Sequence, residues 1–162
     1  LKAKFPNNLI LVDLKTMDAG EYEAEPFYKA GADICTVLGA SGIATIKGVI
    51  AAAKKYGKEC QVDMINVDDK ESLAKEAVAA GADIIGVHTG LDAQAAGHTP
   101  FADLAAIAAL NTGAKISVAG GVKAATAQEV KDAGAAIIVA GAAIYGAADP
   151  AAAAAEITAI AH

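Results

Sequence analysis

Tryptophan is absent from this chain, and the aromatic residues together make up only 4% of it. Yet 55% of the residues are hydrophobic, so alanine and glycine carry much of that total. Small residues of this kind suit helices lying close on a parallel sheet. No uninterrupted apolar run approaches the roughly 20 residues that a membrane-spanning helix needs. The opening "LKAKFPNN" lacks the apolar core of a signal peptide. Positive charge is in deficit as well. The formal net charge of −6 argues against non-specific nucleic-acid binding and leaves no polybasic patch for a membrane surface. A phosphorylated ligand stays open, because backbone dipoles bind phosphate even inside an acidic protein. There are only two cysteines, Cys35 and Cys60, and they lack close metal-ligand spacing. Cys35 sits inside a strand-like run and Cys60 just before one. Both read as buried structural thiols, which points to a reducing, cytoplasmic home.

At 162 residues the chain fits one domain, 1–162, with a sizeable core. Short apolar runs alternate with longer helix-like segments. The runs are "NLILVDLK", "ADICTVLG", "CQVDMIN", "ADIIGVHTG", "AKISVAGG" and "AAIIVAGA". Each is near-continuously apolar and closes on a polar residue or glycine, as strands buried on both faces of a parallel sheet do. Helical segments are predicted at about 21–31, 42–57, 69–81, 100–112, 124–133 and 149–161. "KAGAD", "AAGAD" and "DAGAA" each put a helix stop before the next strand. Asp149 and Pro150 supply the N-cap and first position of the last helix. Strict βα alternation means a parallel sheet with helical crossovers. Two architectures compete: a doubly wound open sheet, and a (β/α)₈ TIM barrel, which has eight units and about 250 residues. About six units are present, with residues 1–6 reading as the tail of a preceding helix. The chain therefore reads as a barrel lacking its first two βα units. No glycine-rich dinucleotide loop follows the first strand, and the functional-looking residues end several strands, as a barrel mouth requires.

Asp13, Lys15 and Asp18 close the first run. Side chains two apart on a strand share a face, so Asp13 and Lys15 point the same way. The plain alternative is a charged loop with Asp18 capping a helix. The chemical reading gives Asp13 to a metal or a substrate hydroxyl and Lys15, a compact cation, to a developing oxyanion. Asp63 is a carboxylate inside an apolar strand, costly to bury unless paired. Asp68 and Asp69 read instead as a helix cap and first-turn charge. His88 ends an apolar run beside a glycine-containing loop, where an imidazole can shuttle protons. Asp92 shapes that loop or contacts substrate, while His98 and the terminal His162 read as solvated. "VAGGV" and "VAGAAIYG" end the last two runs. Small residues there let backbone N–H groups approach an anion, and barrels commonly hold phosphate after strands 7 and 8. These groups are expected to gather at one rim.

With "DLKTMDAGE", "GADICTVLG", "VDMINVDD", "GVHTGLDAQAAG", "SVAGGV" and "VAGAAIYGAADPAAAA" laid out, the chain resembles the 3-hexulose-6-phosphate synthases over essentially its whole length. That family falls in the suprafamily of orotidine 5′-monophosphate decarboxylase and 3-keto-L-gulonate-6-phosphate decarboxylase. Four positions favour the synthase over the gulonate-phosphate enzyme. Asp63 stands where the latter has glutamate, "TGLD" after His88 where it has an arginine, and Ala119 and Ala142 where it tends to have threonine and arginine.

The resemblance implies a (β/α)₈ barrel and a homodimer in which Asp18 reaches the neighbouring site. It implies Mg²⁺ on Asp13, Lys15 supporting an enediolate, and Asp63 and His88 moving protons or orienting substrate. Backbone at Gly120, Gly121, Gly141 and Ala142 would hold the phosphate. The implied reaction is aldol addition of formaldehyde to D-ribulose 5-phosphate. A first-strand aspartate and a metal-binding glutamate of the second strand, both features of the family, would precede this chain. About 50 further N-terminal residues are therefore expected, two units of an eight-unit barrel. The alternatives are the gulonate-phosphate decarboxylase and a non-catalytic sugar-phosphate-binding or assembly fragment.

Overall fold

The computed structural model describes residues 1–161, so His162 lies outside the described residues. The chain divides into two compact units, Leu1–Ile85 and the residues from Gly86 onward. In the first unit β1 (Leu11–Thr16), α1 (Gly20–Lys29), β2 (Ile34–Leu38), α2 (Ile43–Tyr56), β3 (Glu59–Asp63) and α3 (Lys70–Ala80) alternate, with a 3₁₀ turn at Gly39–Ser41. Strand β4 (Ile84–His88) carries the chain into the second unit. There α4 (Leu91–Ala95), α5 (Phe101–Ala109), β5 (Lys115–Ala119), α6 (Ala124–Asp132), β6 (Ile137–Val139), α7 (Ala142–Tyr145) and α8 (Pro150–Ala161) follow. The β1–β2, β2–β3 and β5–β6 ladders are parallel. Strand order follows the chain, β1-β2-β3-β4-β5-β6. A doubly wound sheet reverses its order at a switch point. This one does not, and that choice between the two architectures goes to the barrel type of winding.

The predicted helices and strands appear within a few residues of their expected limits. The differences are instructive. Cys60 lies inside β3 rather than before it. The loop after His88 contains the short helix α4, and α7 follows Gly141 directly; both are too short for a 3.6-residue apolar period to register. Residues 1–5 form one hydrogen-bonded turn, in which the N–H groups of Lys4 and Phe5 both donate to the Leu1 carbonyl.

Why these residues make these elements is visible at the joints. Gly31, Gly81 and Gly134 follow α1, α3 and α6 with φ of 102°, 105° and 104°, the left-handed stop expected of them. The Asp69 carboxylate accepts from the Ser72 N–H at 3.0 Å and Asp149 from Ala152 at 3.0 Å, capping α3 and α8. The aspartate of each "GAD" then ties its strand to the preceding one. Asp83 accepts from the Cys60 N–H at 2.9 Å, and Asp33 from Ile10 at 2.9 Å. Asp33 also pairs with Lys2 at 2.8 Å and Lys58 at 2.6 Å. Those two ammonium groups, with the Ile10 N–H, hold its carboxyl well below the usual carboxylate range.

Each unit has its own buried apolar set. In the first, Val37, Ile46, Val49, Val62 and Met64 are inaccessible; in the second, Leu104, Val118, Ala127 and Val130. The low aromatic content is matched by close helix contact. A Cβ on Gly20 would stand 2.2 Å from the Thr45 carbonyl oxygen, and one on Gly48 would stand 2.9 Å from the Glu21 nitrogen. Helices α1 and α2 therefore touch backbone to backbone, which only glycine permits at these two positions.

Candidate active site

The C-terminal half of β1 is irregular. Val12 pairs with Cys35, but the next paired residue, Thr16, stands opposite Val37. Residues 13–15 bulge out of the ladder, and Lys15 takes a left-handed φ of 49°. A non-glycine residue in that region costs about 1–3 kcal/mol. Bulges of this kind re-aim side chains and gather beside functional sites. The Lys15 N–H, removed from the ladder, donates to Thr36 Oγ1 at 2.9 Å, and that hydroxyl donates in turn to Asp13 Oδ1 at 2.9 Å. The Lys15 ammonium pairs with Asp13 Oδ2 and lies 3.8 Å from Asp63 Oδ2.

Asp63, at the end of β3, is 3% exposed, and its Oδ1 accepts from the Ile65 N–H at 2.9 Å. The pairing that a buried strand carboxylate requires is thus present. The sequence placed Asp13 and Lys15 on one face of a regular strand; in the structure the two side chains pair across a bulge, not through strand alternation. A cation between two carboxylates, one exposed and one buried, can neutralise a developing oxyanion while a neighbouring carboxylate takes or returns a proton. Asp18 stands apart from this group. It is exposed, and its carboxylate accepts from the next residue's N–H, that of Ala19, at 2.8 Å. Helix α1 has Ala19 at its N-cap position with no side-chain cap, so the helix-capping alternative for Asp18 does not hold.

The cysteines are inert here. Both are free and fully buried. Burial pushes the Cys35 thiol up to about 11 and the Cys60 thiol higher still, away from the thiolate that metal binding or attack requires. Among the described residues no group of three or more histidine, cysteine, aspartate or glutamate side chains is placed to hold a metal ion. Asp13, half exposed at 53% of its side chain, offers a carboxylate oxygen of the kind a hard divalent cation prefers.

In the second unit a cavity of about 400 Å³ opens at the ends of β4, β5 and β6. His88, Gly120, Gly121, Gly141 and Ala142, all singled out in the sequence, line it. Asp92 does not; it lies exposed in the first turn of α4. Three of the polar lining residues carried no signal in the sequence: Gln94, Lys123 and Tyr145. Gln94 reads as an ordinary polar residue among alanines, yet its Nε2 donates to the Thr89 carbonyl at 2.8 Å. Gly120 and Gly121 have φ of 115° and 72°, and a Cβ on Gly120 would stand 2.5 Å from that same Thr89 carbonyl oxygen. Glycine is obligatory at this turn. Gly141, with φ of −104°, is not forced by its backbone. Lys123 and the start of the nine-residue α6 add positive charge and N–H donors, a setting suited to an anion. His98, expected to be solvated, is exposed and borders a neighbouring cavity of about 330 Å³ that shares Gln94, Gly120 and Gly121.

Residues 1–157 match the model of the orotidine 5′-phosphate decarboxylase / HUMPS family. The chain belongs to that family. Within it, the chain is 74% identical over 161 residues to a 3-hexulose-6-phosphate synthase of Methylomonas aminofaciens, covering 99% of this chain and 77% of that protein. A synthase of the same name from Mycobacterium gastri is 48% identical over 161 residues, covering 98% and 76%. Among solved structures of the family, the 3-hexulose-6-phosphate synthase of Salmonella typhimurium superposes with a TM-score of 0.94 at 42% identity, covering 99% of this chain and 76% of that one. The 3-keto-L-gulonate-6-phosphate decarboxylase of Vibrio cholerae gives a TM-score of 0.80 at 28% identity, covering 98% and 76%. The resemblance to the synthases read from the motifs is borne out, and the decarboxylase is the more distant relative. The chain spans about three-quarters of the length of these relatives.

Proposed function

We propose that this chain catalyses the aldol addition of formaldehyde to D-ribulose 5-phosphate, giving D-arabino-3-hexulose 6-phosphate. The observation that carries the reading is 74% identity over 161 residues to a protein named for that activity. The chemistry at the end of β1 is compatible with it. A base removes a proton from the carbon next to the ketone, leaving an enediolate. That carbon attacks formaldehyde, a C–C bond forms, and the former aldehyde oxygen takes up a proton. Charge develops on oxygen during deprotonation, and stabilisation that grows with that charge accelerates the step.

In this reading Lys15 faces the enediolate oxygen, and Asp63 and His88 move protons or orient substrate. The phosphate rests on backbone at Gly120, Gly121, Gly141 and Ala142. Lys123, unmarked in the sequence, adds its charge there. Asp92 acts on the substrate loop only through the position of α4. Mg²⁺ would be held by Asp13, and when bound it would supply Lewis-acid stabilisation of the substrate oxygens. The protein works as a homodimer in which exposed Asp18 reaches the neighbouring site. Its six βα units form part of an eightfold barrel. The exposed apolar side chains Leu9 and Leu11 at the start of β1, 70% and 37% accessible, support further cover there. No described helix is long and apolar enough to cross a membrane.

The deciding assay follows formaldehyde-dependent loss of ribulose 5-phosphate beside decarboxylation of 3-keto-L-gulonate 6-phosphate, with and without Mg²⁺. Faster turnover of the keto-gulonate phosphate would replace this reading with the decarboxylase. Ligand binding without turnover of either would replace it with a non-catalytic binding protein.

A further inference from the structure

We propose that Thr36, on β2, is a positioning residue for the Asp13–Lys15 pair. The inference rests on the reading of that pair as part of the synthase site. Thr36 stands opposite the β1 bulge, between the register partners Cys35 and Val37. It is 1% exposed, so its hydroxyl works on its neighbours and not on a ligand in solvent. That hydroxyl has one proton and lone pairs to place, and the structure assigns both roles. It accepts the Lys15 N–H at 2.9 Å and donates to Asp13 Oδ1 at 2.9 Å.

Two consequences follow. The Lys15 N–H has left the ladder because of the bulge, and a backbone donor without a partner is disfavoured once buried. Thr36 satisfies it by side chain, and so secures a backbone conformation that lysine rarely takes. The same oxygen fixes one Asp13 oxygen, which leaves Oδ2 turned to the Lys15 ammonium. One buried hydroxyl therefore sets both the origin of the lysine side chain and the rotation of the carboxylate beside it. Valine would fill the same space and do neither. Serine would do both and leave only a methyl-sized gap.

The test compares Thr36→Val, Thr36→Ser and Lys15→Ala in the full-length protein, assaying formaldehyde-dependent consumption of ribulose 5-phosphate well below each melting temperature. Thr36→Val is expected to lose about 10- to 100-fold in kcat, the usual cost of removing a group that orients a functional residue. Its KM for ribulose 5-phosphate should stay within about threefold, because uniform binding is untouched. Thr36→Ser should recover most of kcat. A folded Thr36→Val with wild-type kcat, beside an inactive Lys15→Ala, overturns the inference and leaves Thr36 a packing residue. An active Lys15→Ala overturns instead the site reading on which it rests. Should Thr36→Val fail to fold, amide exchange in the wild-type protein decides. A Lys15 N–H protected like those of the neighbouring ladder supports the inference, and one exchanging at solvent rates overturns it.

Discussion

Lys15 occupies a backbone region that glycine enters freely and lysine at a cost. Strain kept at a position is informative when the side chain there has chemistry to perform. Replacing Lys15 by glycine and by alanine should separate the two effects. Both variants are expected to lose at least about 100-fold in turnover, as removal of an oxyanion-stabilising group does. Lys15→Gly should nonetheless be more stable than Lys15→Ala by about 1 kcal/mol in urea unfolding, since only glycine relaxes at φ of 49°. Equal stabilities would show that the bulge carries no strain. The glycines lining the cavity invite a parallel contrast. Gly120→Ala meets the Thr89 carbonyl oxygen at 2.5 Å and should cost about 1–3 kcal/mol, together with weaker phosphate binding. Gly141→Ala should fold normally, so that its effect appears in KM for the sugar phosphate alone.

At the scale of elements, the joints between strands and helices carry much of the specificity. Asp33 at the entrance to β2 joins Lys2, Lys58 and the Ile10 N–H. Its carboxyl is held below the ordinary range in the folded protein, so its contribution is fully present above the unfolded value near 4 and is lost as the pH falls below it. Asp33→Asn should therefore lower stability at neutral pH by about 2 kcal/mol and flatten the fall in stability below about pH 4. Chemical unfolding at a series of pH values checks both. The contact of α1 with α2 is equally specific. Gly48→Ala places a methyl 2.9 Å from the Glu21 nitrogen and should cost about 1–3 kcal/mol, although alanine is the better helix former.

For the whole molecule, the proposed sharing of Asp18 between partners makes a quantitative prediction. Lys15→Ala and Asp18→Ala proteins should each be inactive alone. Unfolded together and refolded, they should regain up to about a quarter of wild-type activity, because half the dimers are mixed and each mixed dimer has one intact site. No recovery at any mixing ratio would show that Asp18 acts within its own chain or not at all.

Much of the architecture was legible in the residues. Near-continuous apolar runs closing on polar residues mark strands with both faces covered, and Gly31, Gly81 and Gly134 mark helix ends because left-handed backbone is a local demand. Asp69 and Asp149 declare themselves as caps for the same reason: their partners lie three residues on. Membership of the family, too, was readable, since its motifs are contiguous. What local sequence could not supply were the non-local partners. Nothing near Lys15 announces a bulge, because the hydroxyl that receives its N–H sits on the next strand. Gln94, Lys123 and Tyr145 look like surface residues until the turn at Gly120 and Gly121 brings a cavity to them. The amino-acid order by itself determined where strands and helices begin and end. Tertiary structure alone decided which orphaned donors and charges meet, because hydrogen bonds and ion pairs depend on distance in space and not along the chain.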